Sequence, residues 1–366
     1  MALVAAGQPA AQAVADPSPA DWRAFHEYLE ELAEAGKFSG TVLVAKNGRE
    51  VLNKGYGMAD AAKKKANTPQ TRFSIGSMGK MLTGVAIAQL VQQGKVSFQD
   101  TIGKYVDGLP SEIAGKVTVH HLLTHTSGLG EIPAHDGKGD LDLDAQLKAI
   151  AQQKLQFEPG TRFGYSNAGF AVLGAIVESV SKQRYDAYVS KHILKPAGMH
   201  DTSFGSRTGT YTPSKVARMA HPYGLFDASG KWVGGQAAPD GSLPDGELRD
   251  VGDQATGAGP AGGAISTAGD MLKFTQALRK HKLLNAKLTE TVLEGKVETG
   301  PQNKYAYGFM DWTRNGVRAV GHSGATMGYE AMLDVFVTKG YTVVFLVNQD
   351  GVMTPPLKKA RALITD

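Results

Sequence analysis

The sequence predicts an α+β (broadly α/β) fold. One antiparallel sheet is built from both ends of the chain and flanked by helices, and a mostly helical lobe is inserted between its two halves. Two observations carry this reading. Strand-like apolar runs separated by short glycine turns occur near residue 42 and again after residue 305. Between them, helical periodicity dominates from about 77 to 194.

The elements follow in order. Ser18-Pro19-Ala20-Asp21 gives a capping serine, proline at the first helical position and an acid in the first turn. Trp22, Phe25, Tyr28, Leu29 and Leu32 then recur at helical spacing. Val42-Leu43-Val44, the Asn47-Gly48 turn and Val51-Leu52 read as a hairpin. Leu82, Val85, Ala86, Ala88, Leu90 and Val91 predict a helix from Ser77 to about Gln93, closed by Gly94. Residues 117–127, 142–153, 167–182 and 185–194 read as further helices. A Gly/Pro-rich stretch, 224–263, reads as a long irregular excursion of the kind that borders a site. Thr267 caps a helix running to about Lys280. "YAYGFMDW", "VRAVGH", "YEAMLDVFVT" and "YTVVFLVNQ" predict successive antiparallel strands, and a last helix starts near Pro355-Pro356.

These assignments divide the chain into three parts. Residues 1–17 read as the remnant of an export signal or a disordered tail. Residues 18–76 with 264–366 read as the sheet lobe. Residues 77–263 read as the helical lobe carrying the 224–263 excursion. Ala11-Gln12-Ala13 resembles a signal-peptidase site, so a periplasmic or secreted location is expected, with the cytoplasm as the alternative.

Composition narrows the function classes. The 366 residues are 42% hydrophobic and 20% charged, with a net charge of +4. That suits a folded domain with a sizeable core. The small positive excess is not gathered into a basic stripe with interleaved aromatics, which argues against nucleic acid. With no cysteine, disulfides, thiol catalysis and Cys-ligated metals are excluded. No apolar run reaches the length of a membrane span. A monomer or small homo-oligomer is expected.

Three short motifs carry chemistry. Ser77-Met78-Gly79-Lys80 opens the apolar helix. Residues three apart share a helix face, so the Lys80 amine can reach the Ser77 hydroxyl. First-turn amides can receive a developing oxyanion. The positive helix end and desolvation both lower a lysine pKa, as a general base requires. Ser-x-x-Lys alone is weak, because Ser179-Val180-Ser181-Lys182 repeats it at the polar end of another helix. Tyr165-Ser166-Asn167 lies in a loop running into a helix. A functional Tyr165 supplies a second titratable group and Asn167 an amide for substrate; the structural alternative is that Asn167 caps the helix and Tyr165 packs. His322-Ser323-Gly324 falls between two predicted strands, as a plain turn or as a strand edge facing a cleft.

Taken together, Ser77-x-x-Lys80, Tyr165-x-Asn167 and His322-x-Gly324 resemble the three-motif signature of the penicillin-recognising serine hydrolases, the serine β-lactamase-like and penicillin-binding-protein superfamily. The Tyr-x-Asn form is similar to the branch holding class C β-lactamases, D-alanyl-D-alanine carboxypeptidases and family VIII esterases. "LLTHTSGL" (122–129) and "PAGGAISTAGDMLKF" (260–274) add to the likeness, which spans about residues 25–350. The resemblance implies a β-lactamase/transpeptidase-like fold and an acyl-enzyme mechanism without metal or organic cofactor. It implies Ser77 as nucleophile, Lys80 and Tyr165 as the proton-handling pair, and an oxyanion held between the backbone amides of Ser77 and Ala325. It implies that Asn167 holds polar groups of a small ester, amide or β-lactam substrate, and that His322 donates near the scissile group or a substrate carboxylate. His322 stands where most β-lactamases carry lysine. A histidine is mostly neutral at pH 7 and gains charge toward pH 6. That favours a carboxylesterase, with a D-alanyl peptidase or β-lactamase and a non-catalytic cell-wall-binding member as alternatives.

Three decoys are set aside. "GAGPAG" (257–262) fits G-x-G-x-x-G but follows no strand and contains Pro260. His121 and His125 are four apart, yet no Glu lies between them and no third ligand is obvious. G-x-S-x-G, the nucleophile motif of ordinary α/β-hydrolases, is absent.

Overall fold

The computed structural model describes residues 15–132, 143–205, 210–234, 245–252 and 256–366. The signal-like segment therefore falls almost wholly outside the described residues. An eight-stranded antiparallel sheet forms the frame. Its spatial order is Val297–Gly300, Asn303–Tyr305, Met310–Arg314, Val317–Thr326, Tyr329–Phe336, Tyr341–Val347, Gly40–Lys46 and Arg49–Tyr56. The two ends of the chain meet where Gly40 pairs with Val347 and Lys46 with Tyr341.

Both faces of this sheet are covered, so its central strands are apolar on both sides instead of alternating. Every residue of Tyr341–Val347 is buried. On one face Val42, Val44, Val343 and Phe345 pack against Trp22, Phe25 and Leu29 of helix Pro19–Glu34 and Leu357, Ala360 and Ile364 of helix Thr354–Thr365. On the other, Leu43, Leu333, Val344 and Leu346 face the larger core with helices Ala268–Arg279 and Lys80–Gln92. Helix Lys80–Gln92 is buried along nearly its whole length, which explains its apolar residues all round.

Several boundaries move. The helix expected from Ser77 begins at Lys80, and Gly76–Gly79 form a tighter 3₁₀ turn. The helix expected over 117–127 is Val119–Leu123, ended by His125 in the left-handed region at φ 57°. Asn167 does not cap its helix; Ser166 does, its Oγ accepting from the Gly169 amide at 3.1 Å. "YAYGFMDW" splits into two strands around Ala306–Phe309. The exposed edge strand Val297–Gly300 has no apolar alternation to reveal it. The 224–263 excursion contains a hairpin, Tyr223–Phe226 against Glu247–Asp250. The buried Asp350 carboxylate anchors that hairpin, accepting from Trp232 Nε1 at 2.6 Å and the Leu225 amide at 3.0 Å.

Candidate active site

The turn bearing Ser77 is wedged between two stretches of backbone. A Cβ on Gly324 would lie 2.0 Å from the Ile75 carbonyl, and one on Gly76, at φ 47°, would lie 2.6 Å from the Ala325 amide. Only glycine permits this approach. It brings the edge of strand Val317–Thr326 onto the Ser77 turn, and Ser77 and Ala325 line one cavity of about 720 Å³.

Lys80 points from the first turn of its helix toward Ser77 and is fully buried. Its Nζ meets Ser77 Oγ at 3.1 Å, Asn167 Oδ1 at 2.6 Å and the Ala261 carbonyl at 2.5 Å. Burial pulls its pKa down to about 7, against the opposing pull of the Glu131 charge. As a neutral amine it keeps two N–H groups and one lone pair. Asn167 Oδ1 and the Ala261 carbonyl can only accept, so they hold the two hydrogens. The lone pair is then left facing Ser77 Oγ.

Tyr165 Oη donates to Ser77 Oγ at 2.8 Å. Although the residue is 39% exposed, the protein packed around its phenol limits hydration and pushes it up to about 12. Its ring lies 4.8 Å from Lys80 Nζ. Burial thus disfavours the charged form of both groups.

His322 departs from expectation. It is 3% exposed and does not line the cavity. Nδ1 donates to the Ser323 carbonyl at 2.5 Å, and Nε2 accepts from Tyr305 Oη at 2.8 Å. Both ring nitrogens are spent within the protein, so no donor remains for a substrate carboxylate. Burial, followed by the nearby Lys80 charge, pulls the ring down to about 3. The expected gain of charge near pH 6 is corrected accordingly: inward packing from the strand, invisible in a tripeptide motif, decides it.

Other groups at the site escaped the sequence reading. Glu131, two residues beyond "LLTHTSGL", lines the cavity and accepts from Asn167 Nδ2 at 2.9 Å. The rejected glycine-rich stretch 257–262 forms the opposite wall and supplies the Ala261 carbonyl. Ile132, Ala145 and Ala149 make an apolar side, and no Lys, Arg or His lines the cavity among the described residues. The second Ser-x-x-Lys lies at the far end of helix Asn167–Ser181, roughly 18 Å along it from Asn167. His121 and His125 each spend Nδ1 on a backbone amide, of Thr118 and Ser166.

Fold and site together define a β-lactamase/transpeptidase-like protein. The sequence profile of the family described as Beta-lactamase matches residues 25–365, and the chain belongs to that family of serine hydrolases. It is 33% identical over 321 residues to the putative penicillin-binding protein PbpX of Bacillus subtilis, covering 87% of this chain and 71% of that protein. It is 30% identical to protein Flp of Staphylococcus aureus over 90% of this chain, but spans only 63% of Flp. The crystal structure of a penicillin-binding protein from Bacillus halodurans superimposes with a TM-score of 0.74 at 30% identity, covering 92% and 98% of the two chains. No helix among the described residues is long and apolar enough to cross a membrane.

Proposed function

We propose that the chain hydrolyses small neutral esters through an acyl-enzyme on Ser77, as a carboxylesterase. The observation that supports this most is the three-way hold on Lys80 Nζ, which leaves a lone pair toward Ser77 Oγ. Lys80 takes the Oγ proton as Oγ bonds to the substrate carbonyl carbon and the carbonyl π pair moves onto oxygen. Backbone amides of Ser77 and Ala325 receive that oxyanion, and Gly324 keeps them close. As the oxyanion collapses, the C–O bond to the alcohol breaks. Tyr165 Oη passes its proton to the departing alkoxide and is reprotonated from Lys80. Water then attacks the acyl-enzyme by the same route in reverse, releasing the acid. Asn167 orients Lys80 and offers its amide to substrate.

The substrate preference rests on charge. It is supported by a neutral, internally paired His322, a carboxylate at Glu131 and a described lining without Lys, Arg or His side chains. A D-alanyl peptidase is the second reading, in keeping with the likeness to proteins described as penicillin-binding. Action outside the cytoplasm belongs to the same proposal. A panel of p-nitrophenyl esters, nitrocefin and D-Ala-D-Ala peptides on one preparation separates these activities. Ser77→Ala should abolish both the burst of p-nitrophenolate and turnover while the protein stays folded, whereas Ser179→Ala should behave as wild type. Retained turnover in Ser77→Ala would remove the acyl-enzyme reading.

A further inference from the structure

We propose that His125 is a positioning residue that sets the place of the Tyr165 phenol. The inference rests on the reading of Tyr165 as the proton-handling partner of Ser77. His125 holds this segment in three ways. Its ring stacks on Tyr165, with centroids 4.2 Å apart and planes 29° off parallel. Its Nδ1 accepts from the amide of Ser166 at 3.0 Å. Its backbone carbonyl accepts from the amide of Gly164 at 2.8 Å. The residues on either side of Tyr165 are thus tied to the residue beneath its ring.

Two features indicate that the side chain itself matters. His125 sits at φ 57°, in the left-handed region that few non-glycine residues adopt. Such a conformation persists when its surroundings hold it, and it collects at functional sites. His125 is also 1% exposed, and its Nε2 has no hydrogen-bond partner among the described residues, a costly arrangement for a group that does nothing else. Because Nδ1 accepts an amide hydrogen, the ring proton sits on Nε2. A second proton on Nδ1 would face the Ser166 N–H. Tyr305 and Phe170 pack on it at 4.6 and 5.1 Å, and Lys80 and His322 are the titratable groups near enough to disfavour a charge on the ring. His125 is therefore a neutral plate that holds Tyr165 without competing for the proton that Ser77, Lys80 and Tyr165 exchange.

Two variants test this. His125→Asn tolerates the left-handed backbone and keeps a polar acceptor but removes the ring. His125→Phe keeps a ring and removes the acceptor. Turnover is measured per active site, counted by the p-nitrophenolate burst, together with KM, the pH profile and a crystal structure. For His125→Asn, kcat should fall about 10- to 100-fold with KM changed less than about threefold, as for a misplaced proton carrier. The acid limb of the profile should move upward, because a displaced Tyr165 no longer shields Lys80 from water. The Tyr165 Oη–Ser77 Oγ separation should open beyond hydrogen-bonding distance. His125→Phe should fall less, by about three- to tenfold; it carries the same readouts where His125→Asn does not fold. Wild-type kcat per active site, an unmoved acid limb and an intact Tyr165–Ser77 contact would overturn the proposal, even with a lowered Tm. Turnover retained by Ser77→Ala would instead sink the acyl-enzyme reading, and the crystallographic separation would still decide the role of His125.

Discussion

Lys80 shows how one buried side chain sets the working pH of a site. Transfer out of water disfavours its ammonium form, and the direction of the shift fixes the sign of the pH dependence. Below about pH 7 the amine is protonated and has no lone pair for the Ser77 proton. Ester turnover, as kcat/KM, should therefore rise about tenfold per pH unit up to that point and then level off. Tyr165, pushed up to about 12, stays a phenol throughout and adds no falling limb before about pH 10. A bell centred near neutrality in a pH–rate series would contradict this assignment. Glu131 is the second decisive residue. Its carboxylate faces the cavity from a described lining without Lys, Arg or His, and under the proposed ester preference it would disfavour an anionic substrate. Glu131→Gln should raise the ratio of nitrocefin to neutral-ester kcat/KM by a few-fold, about the scale of one partly solvated charge pair. A ratio unmoved by the substitution would assign the preference to cavity shape.

At the scale of elements, the site depends on a strand edge meeting a helix start. The tripeptide His322-Ser323-Gly324 could be read from the sequence, but not the division of labour within it. His322 turns inward to Tyr305, and Gly324 gives way to the Ile75 carbonyl. Gly324→Ala places a methyl 2.0 Å from that carbonyl. It should cost roughly 1–3 kcal/mol by overpacking and push the strand from the Ser77 turn. Chemical denaturation would read the stability loss, and kcat should fall more than KM rises, because the oxyanion amides separate. A fully active, equally stable variant would mean that the two segments move apart freely. Helix types were legible from apolar periodicity. The start of Lys80–Gln92 was not, because Gly76 and Gly79 take their conformation from distant backbone: Ala325 beside one, Gly262 beside the other.

The whole molecule is held by the sheet in which both chain ends meet. Helix Thr354–Thr365 is tied to it by Arg361, which donates from Nε and a terminal amino group to the two oxygens of Asp334 at 2.8 and 3.1 Å. Asp334 is 1% exposed and also accepts from Trp312 Nε1. Arg361→Leu leaves that carboxylate buried with one neutral donor and should cost roughly 3–5 kcal/mol. Since this pair lies on the sheet face carrying the terminal helices, away from the cavity, kcat at 25 °C should stay near wild type while the denaturation midpoint drops. Loss of kcat in the folded variant would show that this face is coupled to the site.

What the sequence by itself determined is the chemistry available: which serine precedes which lysine, the tyrosine and asparagine that follow, the mostly helical middle and the strands near both ends. These features are local or depend on residue type, so periodicity and spacing reveal them. Tertiary structure alone decided the state of that chemistry. Burial pulls Lys80 toward the uncharged amine, and Asn167, 87 residues away, and Ala261, 181 away, hold two of its hydrogens, which in the amine leaves the lone pair toward Ser77. His322 is silent because Tyr305 and its own strand consume its nitrogens. Glu131 and His125 entered the site for the same reason. Burial, hydrogen-bond direction and field are sums over neighbours brought together by folding, and no window of sequence contains those neighbours.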